Sequence, residues 1–238
     1  MKTLTTDISF LNNKKNRIQG YIHSPLTQNK YSTTAYVHLH GFPGDCEGTA
    51  KLFCEDFAKK GILSLRFDFS GSNKSEGKFE DKLLSQELKD TKYAINYLTK
   101  HYPHINQIIL LGHSTGAILA PLYAQKDKRI THLVISAGVS DLKNGVHYDF
   151  PDYKVKEFWE KGYVTYNERA DHWCYNKKLK KAYYYEFFSL DIPTAQKELT
   201  IPTLILHGED DTAIPSIVEP HKFFEQANEP KKIKIFQN

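Results

Sequence analysis

Three features of this 238-residue sequence predict a mostly parallel α/β fold. Short runs of β-branched and leucine residues alternate with segments whose apolar residues recur at helical spacing. Glycine-bearing polar turns follow the runs at residues 33–40 and 201–208. Residues 108–120 join an Ile/Leu run through Gly112-His113-Ser114-Thr115-Gly116 to a small-residue apolar stretch of helical character. Such alternation implies right-handed crossovers, which place a ligand beyond the carboxyl ends of the strands.

Residues 8–11 and 17–22 are short extended segments around the polar link Asn12-Asn13-Lys14-Lys15-Asn16, and they read as an antiparallel hairpin at a sheet edge. A loop is expected at 25–32 and a strand at 33–40, ending in His40-Gly41-Phe42-Pro43-Gly44-Asp45. Leu52, Phe53, Phe57 and Ala58 fall at helical spacing, and Lys59-Lys60-Gly61 has the basic last turn and glycine of a helix end. A strand at 62–69 and a polar loop through Gly71 and Ser75-Glu76-Gly77 come next. Leu84, Leu88, Thr91, Ile95 and Leu98 then mark a helix that returns the chain to the Ser114 strand.

After the Ser114 helix, which contains Pro121, residues 130–137 read as a buried strand. Residues 139–191 have a different character, with fourteen aromatic side chains from Tyr148 to Phe188 interleaved with charges and no single periodicity. The expected organisation is therefore a core of residues 1–138 and 192–238 with an inserted cap or lid at 139–191, including a small hairpin near Tyr163 to Tyr166. Most of the aromatics would form the insertion's own small core, although some could line an apolar pocket. The run Lys177-Lys178-Leu179-Lys180-Lys181 reads as a solvated helix face. A strand at 201–208 runs into Glu209-Asp210-Asp211, and a helix at 216–227 and a strand at 232–236 follow.

A formal charge of +4 with acids interspersed throughout argues against a dedicated nucleic-acid binder. Cys46, Cys54 and Cys174 lack metal-type clustering and read as buried structural thiols. No metal-ligand spacing or phosphate-cradling loop is present, so no cofactor is expected. The N-terminus has no long apolar core and no stretch approaches a membrane span, so a cytoplasmic location and no membrane partner are expected.

A serine at a sharp strand-to-helix turn needs neighbours without Cβ two positions before and after it, as Gly112 and Gly116 provide. The Thr115 N–H, at the helix start, would face an anion forming beside Ser114. Together with His40-Gly41-Phe42-Pro43-Gly44 and His207-Gly208-Glu209-Asp210-Asp211, this motif resembles the α/β-hydrolase superfamily over essentially the whole chain. Arg66-Phe67-Asp68-Phe69-Ser70-Gly71 is similar to the loop after the fourth strand in many members. Among the branches, the chain most resembles serine esterases of the cinnamoyl and feruloyl type.

The resemblance implies an α/β-hydrolase fold with helices on both faces of the sheet and an inserted cap. It implies acyl transfer from a small-molecule ester, with Ser114 as nucleophile and the N–H groups of Phe42 and Thr115 as the oxyanion hole. Asp211 matches the acid position, ahead of Asp210 and then Glu209. The superfamily histidine belongs in the loop after the final strand, where this sequence reaches Asn238, so the C-terminal loop and helix are expected to be missing and catalysis impaired. Without such a helix, apolar surface would be exposed on one side of the sheet. His221, the only histidine after Asp211, falls inside a helix; His40, His113 and His207 read as structural, and no spacing supports His147 or His172. The alternative is a non-catalytic protein of this fold that binds a small aromatic ligand under the cap.

Overall fold

The computed structural model describes residues 2–26 and 32–237; most of the loop expected at 25–32 therefore lies outside the described residues. The predicted hairpin is β1 (Thr3–Leu11) and β2 (Arg17–Pro25), paired antiparallel. Next come β3 (Thr34–Leu39), α1 (Thr49–Lys59), β4 (Leu63–Phe67), α2 (Leu84–His101), β5 (Gln107–His113), α3 (Thr115–Ala124) and β6 (Ile130–Ser136). The sheet resumes with β9 (Thr203–Gly208), α8 (Glu219–Gln226) and β10 (Lys231–Phe236). Its eight strands run in the order β1-β2-β4-β3-β5-β6-β9-β10, parallel from β4 to β10.

Alternation along the strands sends one set of side chains to each face. Val37, Leu65 and Leu110 join the large core beneath α2 and α3, while Tyr36 and Leu111 meet Cys54 of α1 on the other face. Every residue of α3 is buried, in keeping with a sequence that carries no charge and only the Thr115 and Tyr123 hydroxyls as polar side-chain groups. On the α1 face an apolar groove of about 440 Å³ continues across Ile109, Val134 and Leu204.

The apolar face of α1 differs from expectation. Leu52 is 63% exposed and Phe53 40% exposed, whereas Ala50, Cys54 and Ala58 are buried. These three lie four residues apart, and their small side chains seat the helix against the sheet. All three cysteines are free and buried, and burial raises the thiol pKa of each.

Between β6 and β9 the chain forms α4 (Leu142–Asp149), α5 (Asp152–Lys161), β7 (Tyr163–Tyr166), β8 (Lys177–Lys180), α6 (Lys181–Glu186) and α7 (Ile192–Glu198). The lysine run is thus a strand followed by a helix start, a correction to the solvated helix face. Its pattern of exposed lysines around buried Leu179 suits a strand, and β7 supplies the ladder. Phe150, Phe158, Tyr183 and Phe187 pack together within this segment.

The Asp149 carboxyl is raised by burial to about 6, against a smaller opposing pull from Lys154. A carboxyl with a raised folded-state pKa binds its proton more tightly when folded, so its contribution to stability falls as pH rises. Asp149→Asn should therefore remove a decline in stability between about pH 4 and pH 6, on the order of 1–2 kcal/mol. Urea unfolding of both proteins across that range checks this; parallel pH profiles would refute it.

Candidate active site

Ser114 sits between β5 and α3 with φ 54° and ψ −120°, a conformation that costs an L-residue on the order of 1–3 kcal/mol. The backbone around it leaves no room for side chains. A Cβ on Gly112 would stand 2.0 Å from the Gly116 carbonyl oxygen, and one on Gly116 would stand 2.2 Å from that of Leu39. The Ser114 N–H donates to Ser136 O at 2.9 Å, anchoring the turn to β6. Among the described residues the Ser114 hydroxyl has no hydrogen-bond partner, and it lines a cleft of about 410 Å³.

The turn after β3 passes directly over the serine. A Cβ on Gly41 would approach Ser114 Cβ to 2.8 Å, and the Phe42 N–H donates to Thr115 Oγ1 at 3.3 Å. Thr115 is the first residue of α3, so its own N–H lacks a carbonyl one turn back. Ser114, Phe42 and Thr115 are therefore together, and both backbone donors lie beside the serine. Displacing the long Phe42–Thr115 bond would turn that donor to an oxyanion.

Buried polar groups fix the turn. The His40 Nε2 accepts from the Phe69 N–H at 3.2 Å, so the ring proton lies on Nδ1 and is donated to Gly41 O at 2.8 Å. Burial, with a smaller push from Lys82, lowers the His40 pKa to about 3, and the ring is neutral. Asp68 accepts from the Cys46 N–H at 2.8 Å and from the Lys74 N–H at 3.2 Å. Arg66 donates to Cys46 O and to His23 Nε2, pairs with Glu47 at 2.9 Å and lies over the Tyr21 ring. The stretch at the end of β4 thus clamps residues 46–47, just beyond the Gly41-Phe42 turn. No local sequence signal marks those residues for this task, because their partners are distant in the chain.

Aromatic rings hold the other side of Phe42. It stacks on Tyr183 at 4.8 Å and on Phe79 at 5.7 Å, and it meets the edge of Tyr166 at 5.5 Å. Tyr166 and Tyr183 belong to the segment between β6 and β9, which also brings Arg169 and His172 into the Ser114 cleft. A second cleft of about 470 Å³, with Lys154, Tyr166 and Tyr175 in its wall, shares Gly44, Arg169 and His172 with the first. His172 had no spacing signal because the fold alone brings it there.

Asp211 lies in the loop after β9. Its Oδ1 accepts from the N–H groups of Ala213 and Ile214, and its Oδ2 is 3.4 Å from His207 Nε2. His207 Nε2 also lies 2.9 Å from Ile214 O, which can only accept, so the ring proton is on that nitrogen. His113 Nδ1 is 3.3 Å from Ser136 Oγ. Burial lowers the His113 pKa, opposed by Asp211 and assisted by His207, so these three groups share one neighbourhood. Glu209 and Asp210 are exposed, as is His221 on α8. Among the described residues no imidazole nitrogen is within hydrogen-bond distance of Ser114 Oγ. Phe236, opposite Gly208 in parallel register, brings the chain out of β10 beside the Asp211 loop.

The family described as serine aminopeptidase, S33, matches residues 31–238. The bovine (Bos taurus) mitochondrial palmitoyl-protein thioesterase ABHD10 is 25% identical over 194 residues, covering 78% of this chain and 60% of the relative. Its human (Homo sapiens) counterpart is 26% identical over 217 residues, 88% of this chain and 66% of the relative. The chain thus spans about three fifths to two thirds of the length of these relatives. Est1E from Butyrivibrio proteoclasticus, solved with ferulic acid bound, superposes with a TM-score of 0.79 at 22% identity over 97% of this chain and 88% of its own. The hypothetical protein PA2218 from Pseudomonas aeruginosa gives 0.80 at 19% identity over 100% and 86%. The esterase Pf2001 from Pyrococcus furiosus gives 0.71 at 17% identity over 99% and 82%. These likenesses establish the α/β-hydrolase fold expected from the strand-end motifs.

Alanine at Gly112 or Gly116 should cost at least about 4 kcal/mol, because backbone atoms rather than flexible side chains occupy the Cβ sites. Chemical denaturation checks this. A folded Gly116→Ala protein of normal stability would contradict the packing described.

Proposed function

We propose, from the premise that the chain belongs to the serine aminopeptidase, S33, family of hydrolases, that it hydrolyses small carboxylic esters through a covalent acyl-enzyme on Ser114. The observation that carries this reading is the strained Ser114 turn with the Phe42 and Thr115 backbone donors beside it. Ser114 Oγ would bond to the ester carbonyl carbon as its proton passes to a base. The carbonyl electron pair moves to the oxygen, which Phe42 and Thr115 stabilise. Collapse expels the alcohol, which takes up a proton, and water repeats the sequence to release the acid. Residues 139–191 act as a cap over the core formed by 1–138 and 192–238.

Asp211 is the proposed acid, supported by its position after β9 and by the Oδ2 that the loop N–H groups leave unengaged. Such an acid orients an imidazole and stabilises it when charged. A positioned base contributes about 10²–10⁴-fold, so turnover resting on the donors and binding alone is slow. The lack of an imidazole at Ser114 Oγ among the described residues favours a second reading, binding of a small aromatic ligand without turnover. Saturable binding to an aromatic panel, unchanged in Ser114→Ala and unaccompanied by hydrolysis, would support it.

Comparing p-nitrophenyl acetate and butyrate with an S-acyl thioester and an aminoacyl p-nitroanilide tests the main reading. The oxygen esters should turn over fastest, and Ser114→Ala should reduce each rate to that of buffer. Equal rates in wild type and Ser114→Ala would refute a serine nucleophile. Preferential cleavage of the anilide would replace the esterase reading with a peptidase one.

A further inference from the structure

Helices α5 and α6 with strands β7 and β8 carry a feature that ester hydrolysis does not use. Trp159 is 64% exposed, and Tyr185 and Phe188 are each more than 40% exposed. The Trp159 and Tyr185 rings are 6.1 Å apart, and the Lys181 ammonium lies 5.8 Å from one and 6.0 Å from the other. The Lys181 N–H donates to Gly162 O at 3.0 Å, which puts it beside Tyr163, and Lys178 lies 4.1 Å over the Tyr163 ring. Tyr184 links Tyr185 to Phe188.

The charges around this patch are unevenly partnered. Glu157 pairs with Lys161, Glu160 with Lys156, and Glu80 and Asp81 with Lys180, while Glu186 accepts from Ser85. Lys178 and Lys181 have no carboxylate partner among the described residues and rest on aromatic rings instead. Indole and phenol rings with an apolar body and a polar edge, interspersed with unpaired ammonium groups, suit the boundary between headgroups and acyl chains. The Lys178 and Lys181 ammonium groups lie against the ring faces, and an anionic phosphate would draw them outward on their flexible stems.

We propose that the surface formed by Trp159, Tyr163, Lys178, Lys181 and Tyr185 docks this chain peripherally on an anionic lipid bilayer. No described helix is long and apolar enough to cross a membrane, so the proposed contact is interfacial. The segment that carries the patch also contributes Arg169 and His172 to the Ser114 cleft, but docking does not depend on Ser114 chemistry.

Sedimentation with vesicles of equal parts phosphatidylcholine and phosphatidylglycerol, compared with phosphatidylcholine alone, tests the proposal. The chain should bind the anionic vesicles at low salt and release at high salt. Each lysine near such a surface is worth about fivefold, so K178Q/K181Q should weaken binding roughly thirtyfold and the charge-reversing K178E/K181E more than that, with K178R/K181R retaining it. In Trp173→Phe, which leaves Trp159 as the only tryptophan, emission should shift to the blue on binding. Ser114→Ala should bind as wild type does. Absence of binding at low salt, indifference to K178E/K181E in a folded protein, or equal binding to neutral vesicles would overturn the proposal. Equally tight binding to soluble polyglutamate would overturn it in favour of an acidic polypeptide partner.

Discussion

Three backbone segments meet at Ser114, and the spacing they require governs the rest of the centre. The end of β5 passes the first turn of α3 at Gly112 and Gly116, and α3 in turn passes the end of β3 at Leu39. No side chain fits at either crossing. The approach places a serine in a left-handed conformation at the strand ends, with the Phe42 turn immediately above it. The strain of that conformation is held by the buried α3 and by the hydrogen bond to Ser136.

Two kinds of support hold the turn over the serine. Below it, neutral His40 bridges Phe69 and Gly41, while Arg66 and Asp68 tie down Cys46 and Glu47 through charge-assisted bonds in a buried setting. Above it, Phe42 lies among Phe79, Tyr166 and Tyr183. The Phe42 turn thus joins the sheet to the segment between β6 and β9. Changes in that segment's packing would reach the Phe42 N–H through ring contacts without touching Ser114.

Much of this was legible in the chain. The strands and helices of the sheet follow from period-2 and period-3.6 patterns, and the glycine spacing around Ser114 marks a turn that only close backbone approach explains. On α1 the sequence pattern points to Leu52, Phe53, Phe57 and Ala58; Ala58 is buried, but the helix-to-sheet distance selects Ala50 and Cys54 in place of the larger Leu52 and Phe53. The five-residue run Lys177–Lys181 carries too little periodicity to separate strand from helix, and pairing with β7 decides it. The clamp of Arg66 on Cys46 and the arrival of His172 at the Ser114 cleft join residues far apart in sequence, so no local pattern encodes them.

Ser114 is the proposed nucleophile, and a fluorophosphonate probe reads that property directly. Intact mass followed by peptide mapping of the folded protein should show one phosphonyl adduct per chain, located on Ser114. A folded protein that remains unlabelled, or one labelled at a different serine, would contradict the account.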